Sequence, residues 1–98
     1  MRNAQDSILT EAHALVYGQK EQLYGDATAD MERVATMWTA ILGTPVEPWQ
    51  IPLCMVAIKL SRLCHKRYKD GWVDVAGWAD VGAQVDCEPA EEEVGEYD

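Results

Sequence analysis

The sequence predicts an all-α protein, a compact bundle of four main helices followed by an acidic tail. Apolar residues recur at helical spacing in four stretches, strand-like alternation is almost absent, and the breaks between stretches carry helix caps and stops. Ninety-eight residues make one domain with a single core, near the size at which marginal stability favours association.

The first helix is expected over residues 7–17, capped by Asp6 or Ser7, with Ile8, Ala12, Leu15 and Val16 on one face and Gly18 as its stop. A polar loop, QKEQLYGD, should follow. The second helix, over residues 27–42, has the clearest amphipathic pattern: Met31, Val34, Ala35, Trp38, Ile41 and Leu42 share a face, and Gly43 ends it. TPVEPWQ reads as an extended connector into a third helix over residues 52–66, where Pro52 suits the first turn because a missing N–H costs nothing there. This helix is apolar nearly all round in its first half, which predicts a central position, with Cys54 and Cys64 in the core. The fourth, over residues 71–85, sets Trp72, Val75, Ala76, Ala79 and Ala83 on one face, with Gly77 allowing a neighbour close approach.

The net charge of −9 is unevenly spread. Residues 86–98, DCEPAEEEVGEYD, hold seven of the seventeen acids and no base, so they read as a solvated, disordered tail on a body of residues 1–85. The body keeps eight bases against ten acids, and five of those bases lie between Lys59 and Lys69. A chain of this acidity is a poor partner for duplex nucleic acid. Three cysteines without CxxC spacing point to a reducing compartment and to buried thiols in place of disulfides. The longest apolar run, LCMVAI, is too short to span a bilayer, and no signal-peptide core is present, so no membrane role and a cytoplasmic location are expected.

Chemistry concentrates in residues 59–80. Lys59, Arg62 and Lys66 recur at i, i+3 and i+7 on one helix face, while Asp70 and Asp74 stand one turn apart where the next helix opens. Such cations suit a phosphorylated ligand, and such carboxylates suit magnesium, which bridges protein oxygens to phosphate. A plain salt-bridged helix end is the alternative. Lys59 follows directly on LCMVAI, so it must snorkel, pair with a carboxylate or meet a ligand. Asp26 and Asp30 repeat the four-residue spacing at the start of the second helix. Asp26, Asp30, Asp70 and Asp74 would converge on a metal if the two helix starts share one end of the bundle; otherwise Asp26 and Asp70 are N-caps. Tyr24 is either a base-stacking ring or a loop anchor. Trp72 and Trp78 raise the same question, with Trp72 assigned to the core.

Tyr24-Gly25-Asp26, Met37-Trp38 with Leu42-Gly43, the Lys59-Leu60-Ser61-Arg62-Leu63 segment and, most specifically, residues 70–78 (DGWVDVAGW) resemble a family of small phage and prophage proteins of unassigned function. That family is similar, more distantly, to the all-α nucleoside triphosphate pyrophosphohydrolases of the MazG type. The resemblance implies a helical oligomer that handles nucleotides with carboxylate-held magnesium in a bacterial host cell. Those enzymes carry ExxE and ExxD motifs, for which the body of this chain offers DxxxD pairs. Two functions follow. In one, Lys59, Arg62 and Lys66 grip phosphates, Asp70 and Asp74 serve catalysis with magnesium, and a nucleotide is hydrolysed. In the other, the same cations sequester a nucleotide signal without chemistry. A structural or regulatory helical protein is the third reading.

Overall fold

The computed structural model describes residues 6–87; the N-terminal five residues and the acidic segment 88–98 lie outside that range, as does nearly all of the expected tail. All elements among the described residues are helical, and they run as α1 (Ile8–Ala14), a π-helical turn (Leu15–Gln19), α2 (Lys20–Tyr24), α3 (Ala27–Leu42), α4 (Gln50–His65) and α5 (Lys69–Asp86). The first three form one continuous helical rod, so the bundle has the four helices that the periodicity predicts.

Ser7 starts this rod: its hydroxyl accepts from the Leu9 N–H at 3.1 Å. The rod does not end at Gly18. Gly18 keeps helical backbone within the π turn, and the chain runs on to Gly25, whose φ of 80° is a backbone conformation that glycine adopts without a Cβ penalty. The expected polar loop is therefore mostly helix. Asp26 then caps α3, its carboxylate accepting from the Ala29 N–H at 3.0 Å. Gly43, in the left-handed region, ends α3 as its position predicts. The connector is pinned by Thr39, whose hydroxyl accepts from the Val46 N–H at 2.9 Å. Pro52 falls in the first turn of α4, although that helix opens two residues earlier than expected.

α5 occupies the centre that the sequence assigned to α4: it packs on the first rod, on α3 and on α4. α4 packs chiefly on α5 through one arc, on which Ile51, Pro52 and Leu63 are buried. Its opposite arc is open, so Cys54 and Cys64 are exposed free thiols and not core residues. Cys87 is also free and exposed. Trp72 is likewise exposed, as are Ile41 and Leu42 at the end of α3. The core proper is small: Met31, Ala35 and Ile51, with Val34, Trp38, Met55, Trp78 and Val81 among the residues packed around them.

Glycine sets the α4/α5 spacing at both ends. A Cβ on Gly71 would stand 2.7 Å from Leu63 Cδ2, and one on Gly82 would stand 3.4 Å from Pro52 Cβ. The close approach expected at Gly77 is looser, with Val16 Cγ2 at 3.6 Å. Gly71→Ala should therefore lower stability by about 1–3 kcal/mol through overpacking against buried Leu63. Gly77→Ala should raise it by up to about 1 kcal/mol through helix propensity. Thermal melts of the two variants check the opposite signs.

Candidate functional site

The first rod, α3, α4 and α5 enclose a cavity of about 540 Å³, within the usual size range of small-molecule sites. Its floor is apolar, built from Met31 of α3, Met55 of α4, and Val73, Trp78 and Val81 of α5. Leu15 and Val16 of the π turn form a wall. Its polar groups arrive from every side: Lys20, Glu21 and Tyr24 from α2, Asp30 from α3, Lys59 from α4 and Asp74 from α5.

The π turn explains how α2 reaches the cavity. The Lys20 N–H bonds back to the Leu15 carbonyl, five residues earlier, which inserts one extra residue into the turn. One extra residue re-phases all that follows by about 100°. Tyr17 fastens the widened turn to α5, donating to Asp80 Oδ2 at 2.6 Å, and the Gln84 amide donates to the same oxygen at 3.2 Å. The His13 ring lies against Tyr17 with centroids 4.7 Å apart. Hydrogen bonding to the Asp80 carboxylate, then burial and the charges of Asp80 and Glu21, push the Tyr17 hydroxyl up to about 12. At the other end of α2, Arg33 donates to the Tyr24 carbonyl at 3.3 Å and pairs with Asp30 at 3.5 Å, joining α2 to the side of α3.

Lys59 is the most enclosed of the charged groups. Its side chain is 16% exposed, and its Nζ lies 3.3 Å from Asp74 Oδ2. Of the three fates open to it, pairing is realised, and the pair faces the cavity. Lys20 lies over the Tyr24 ring, 5.7 Å from its centroid, in cation–π geometry on the rim.

Among the sequence-predicted site residues, Tyr24, Asp30, Lys59 and Asp74 line the cavity, whereas Asp26, Arg62, Lys66 and Asp70 do not. The basic row is broken because Lys66 has left the helix, with extended backbone at φ −152°, ψ 128°. Arg62 stays on α4 but is exposed. Asp70 is exposed in the first turn of α5 and makes no cap hydrogen bond; the cap position belongs to Tyr68. Neighbouring Arg67 has a structural task, donating to the Leu63 and Cys64 carbonyls at the end of α4. Lys20 and Glu21 were missed in the sequence because they sat in a stretch read as loop. The available signal was that Lys20 stands four residues from both Val16 and Tyr24 and Glu21 three from Tyr24, a register masked by the π turn.

Among the described residues, no three His, Cys, Asp or Glu side chains form a group able to hold a metal ion. Asp30 and Asp74 are thus not an autonomous magnesium site. Two carboxylates are, however, a fitting protein share for magnesium that arrives with phosphate oxygens of its ligand.

The architecture and cavity define a class: a small all-helical domain with an amphipathic cavity. Residues 7–86 match the domain of unknown function DUF6378, and the chain belongs to that family. It is similar to the Gene 55 protein of Mycobacterium phage L5, 40% identical over 77 residues that cover 76% of this chain and 49% of that protein. It is also similar to the Gene 55 protein of Mycobacterium phage D29, 27% identical over 94 residues that cover 95% of this chain and 62% of that protein. The chain thus spans about half to three fifths of the length of these curated relatives. No solved structure matches. The relatives bear out the resemblance to phage proteins and do not extend it to the MazG-type enzymes. No helix among the described residues is long and apolar enough to cross a membrane.

The Tyr17 contact has a definite alkaline signature. Its hydroxyl titrates higher in the fold than its ordinary value of 10, so its stabilising effect is complete below pH 10 and is lost as pH rises towards 12. Tyr17→Phe should cost about 1 kcal/mol at neutral pH, and the gap to wild type should shrink between pH 10 and 12. Melting temperatures of both proteins across that range check it.

Proposed function

We propose that this domain binds a nucleotide, taken up with magnesium, in the cavity between the first rod, α3, α4 and α5. The observation that carries this reading is Lys59, an enclosed ammonium on a cavity wall that also presents Trp78 and Tyr24. A phosphate is the anion that a Lys donor serves best as a point charge, and aromatic faces take a planar base. The three carboxylates on the same lining, Glu21, Asp30 and Asp74, would repel a bare polyphosphate, and a magnesium ion carried by the ligand offsets that repulsion. In this reading Lys59 turns from Asp74 to phosphate, Asp74 and Asp30 face the metal, and the base lies over the apolar floor. The resemblance to MazG-type enzymes supports the same ligand class. In an infected host cell such a domain would sequester a nucleotide signal.

Hydrolysis is the second reading, favoured by Asp30 and Asp74 facing one cavity from two helices. When bound, the metal would supply Lewis-acid polarisation of a phosphoryl group. Of the two aspartates expected to be catalytic, Asp74 lines the cavity and Asp70 does not, which favours Asp74 for this role.

Thermal melts with a panel of linear and cyclic nucleotides, with and without Mg²⁺, test the binding, because a ligand selective for the folded state raises its stability. At least one nucleotide should raise the melting temperature, more with Mg²⁺ than with chelator. Lys59→Met should weaken that nucleotide about 10- to 100-fold, the equivalent of one charge-assisted contact, whereas Arg62→Ala should leave it unchanged. No shift with any nucleotide would sink the proposal. Product release that requires Mg²⁺ and is lost in Asp74→Asn would establish hydrolysis over capture.

A further inference from the structure

We propose that the open arc of α4 is an interface with a second copy of this chain, seated antiparallel, α4 on α4. The arc carries Leu53, Ala57, Leu60 and Cys64, all exposed, at successive spacings of four, three and four residues. That is the d–a–d–a seam of a helix built to pack along another helix. Cys54 and Ser61 flank it, also exposed, so this side of the helix is uncharged from Leu53 to Cys64. The arc that meets α5 and the cavity is the other one, on which Leu63 is buried and Met55 and Lys59 line the cavity. One helix therefore presents two apolar faces, and the fold covers only one.

Charge and size favour a copy of the same chain in antiparallel orientation. Residues 1–85 hold eight bases against ten acids, a net of only −2, so the bodies of two copies repel weakly, and this seam itself bears no charge. Apart from Lys59, which pairs with Asp74, the basic residues of α4 and its exit, Arg62, His65, Lys66 and Arg67, cluster at its C-terminal end. A parallel pair would stack those ends on each other. An antiparallel pair separates them and brings each towards Glu47 before the partner helix, with opposed helix dipoles. The seam alternates large and small residues. With the two-fold axis midway between Ala57 and Leu60, each leucine meets a small residue: Leu53 faces Cys64 of the second copy, and Leu60 faces Ala57. Two-fold symmetry closes the assembly as a dimer and leaves both cavities open.

Sedimentation equilibrium of the whole chain, with disulfide trapping, tests the seat. Wild type should sediment at twice the chain mass at micromolar concentration, and Leu60→Arg should sediment as a monomer with unchanged helical circular dichroism. A chain with Leu53→Cys, Cys54→Ser and Cys87→Ser retains Cys64; under mild oxidation it should form a covalent dimer between the thiol introduced at position 53 of one copy and Cys64 of the other. Positions 53 and 64 lie three turns apart on one helix and cannot bridge within a chain. Adding Cys64→Ser should abolish the cross-link. A monomeric wild type would overturn the proposal, as would an assembly that survives Leu60→Arg. Cross-linking that persists without Cys64 would overturn the antiparallel seat.

Discussion

The α4/α5 hairpin is the constraint on which everything else rests. Two glycines of α5 let α4 lie close against it, Gly71 beneath Leu63 at one end and Gly82 beneath Pro52 at the other. Between them, Lys59 meets Asp74. These three contacts share one antiparallel register, so the glycines that fix the spacing also fix where the ammonium stands. A salt bridge half open to solvent adds little stability by itself. Here the hairpin sets the geometry and the ion pair occupies it. Lys59 is kept on the cavity wall by Leu63 and Pro52, which bury on the same helix.

The second constraint is the π turn. An uninterrupted α-helix from Ser7 onward would carry residues 20–24 round the rod at a different phase. The extra residue at Leu15–Gln19 brings Lys20, Glu21 and Tyr24 to the cavity, while Tyr17 anchors the turn to Asp80. π turns within helices recur at functional sites because the widened ring is less favourable than the α form and must be held by tertiary contacts. The hydrogen bond of Tyr17 is such a contact, and it lies outside the cavity. The support is thereby separated from the groups available to a ligand.

Much of the fold was legible in the sequence because helix periods and stops are local. Met31, Val34, Ala35 and Trp38 pack at the core as their spacing predicts, Gly43 terminates α3 as expected, and Asp26 takes the capping role that was one of its two readings. The errors share a physical origin. Periodicity identifies an apolar face but not what covers it, so α4, apolar on both sides, was placed at the centre, and its exposed Cys54 and Cys64 were placed in the core. Gly18 read as a stop because a glycine after an apolar turn usually is one. Only the hydrogen bond from Lys20 to Leu15 shows that the helix continues. For the site, Lys59, Asp74, Asp30 and Tyr24 were legible as isolated chemistry, yet their meeting depends on the packing of four segments. Arg62 and Lys66 shared a sequence spacing with Lys59 but not its surroundings, since the helix turns one outward and ends before the other.

A small core and an internal cavity have a joint energetic consequence. Among the described residues only seven apolar side chains are buried, Pro52 included, while thirteen large ones stay exposed. Conformational entropy lost on folding must be offset chiefly by apolar burial, and a cavity of about 540 Å³ removes contacts that would otherwise contribute. The proposed ligand over Met31, Met55 and Trp78 would add burial inside, and the proposed second copy over Leu53 and Leu60 would add burial outside. Each stabilises the folded form by mass action, and each acts on opposite arcs of the same helix. Lys59 and Leu60 are adjacent in the chain and point into these two different environments. Were both proposed partners to bind, α4 would be the element that touches each of them, and a change in its packing caused by one would be felt at the surface offered to the other.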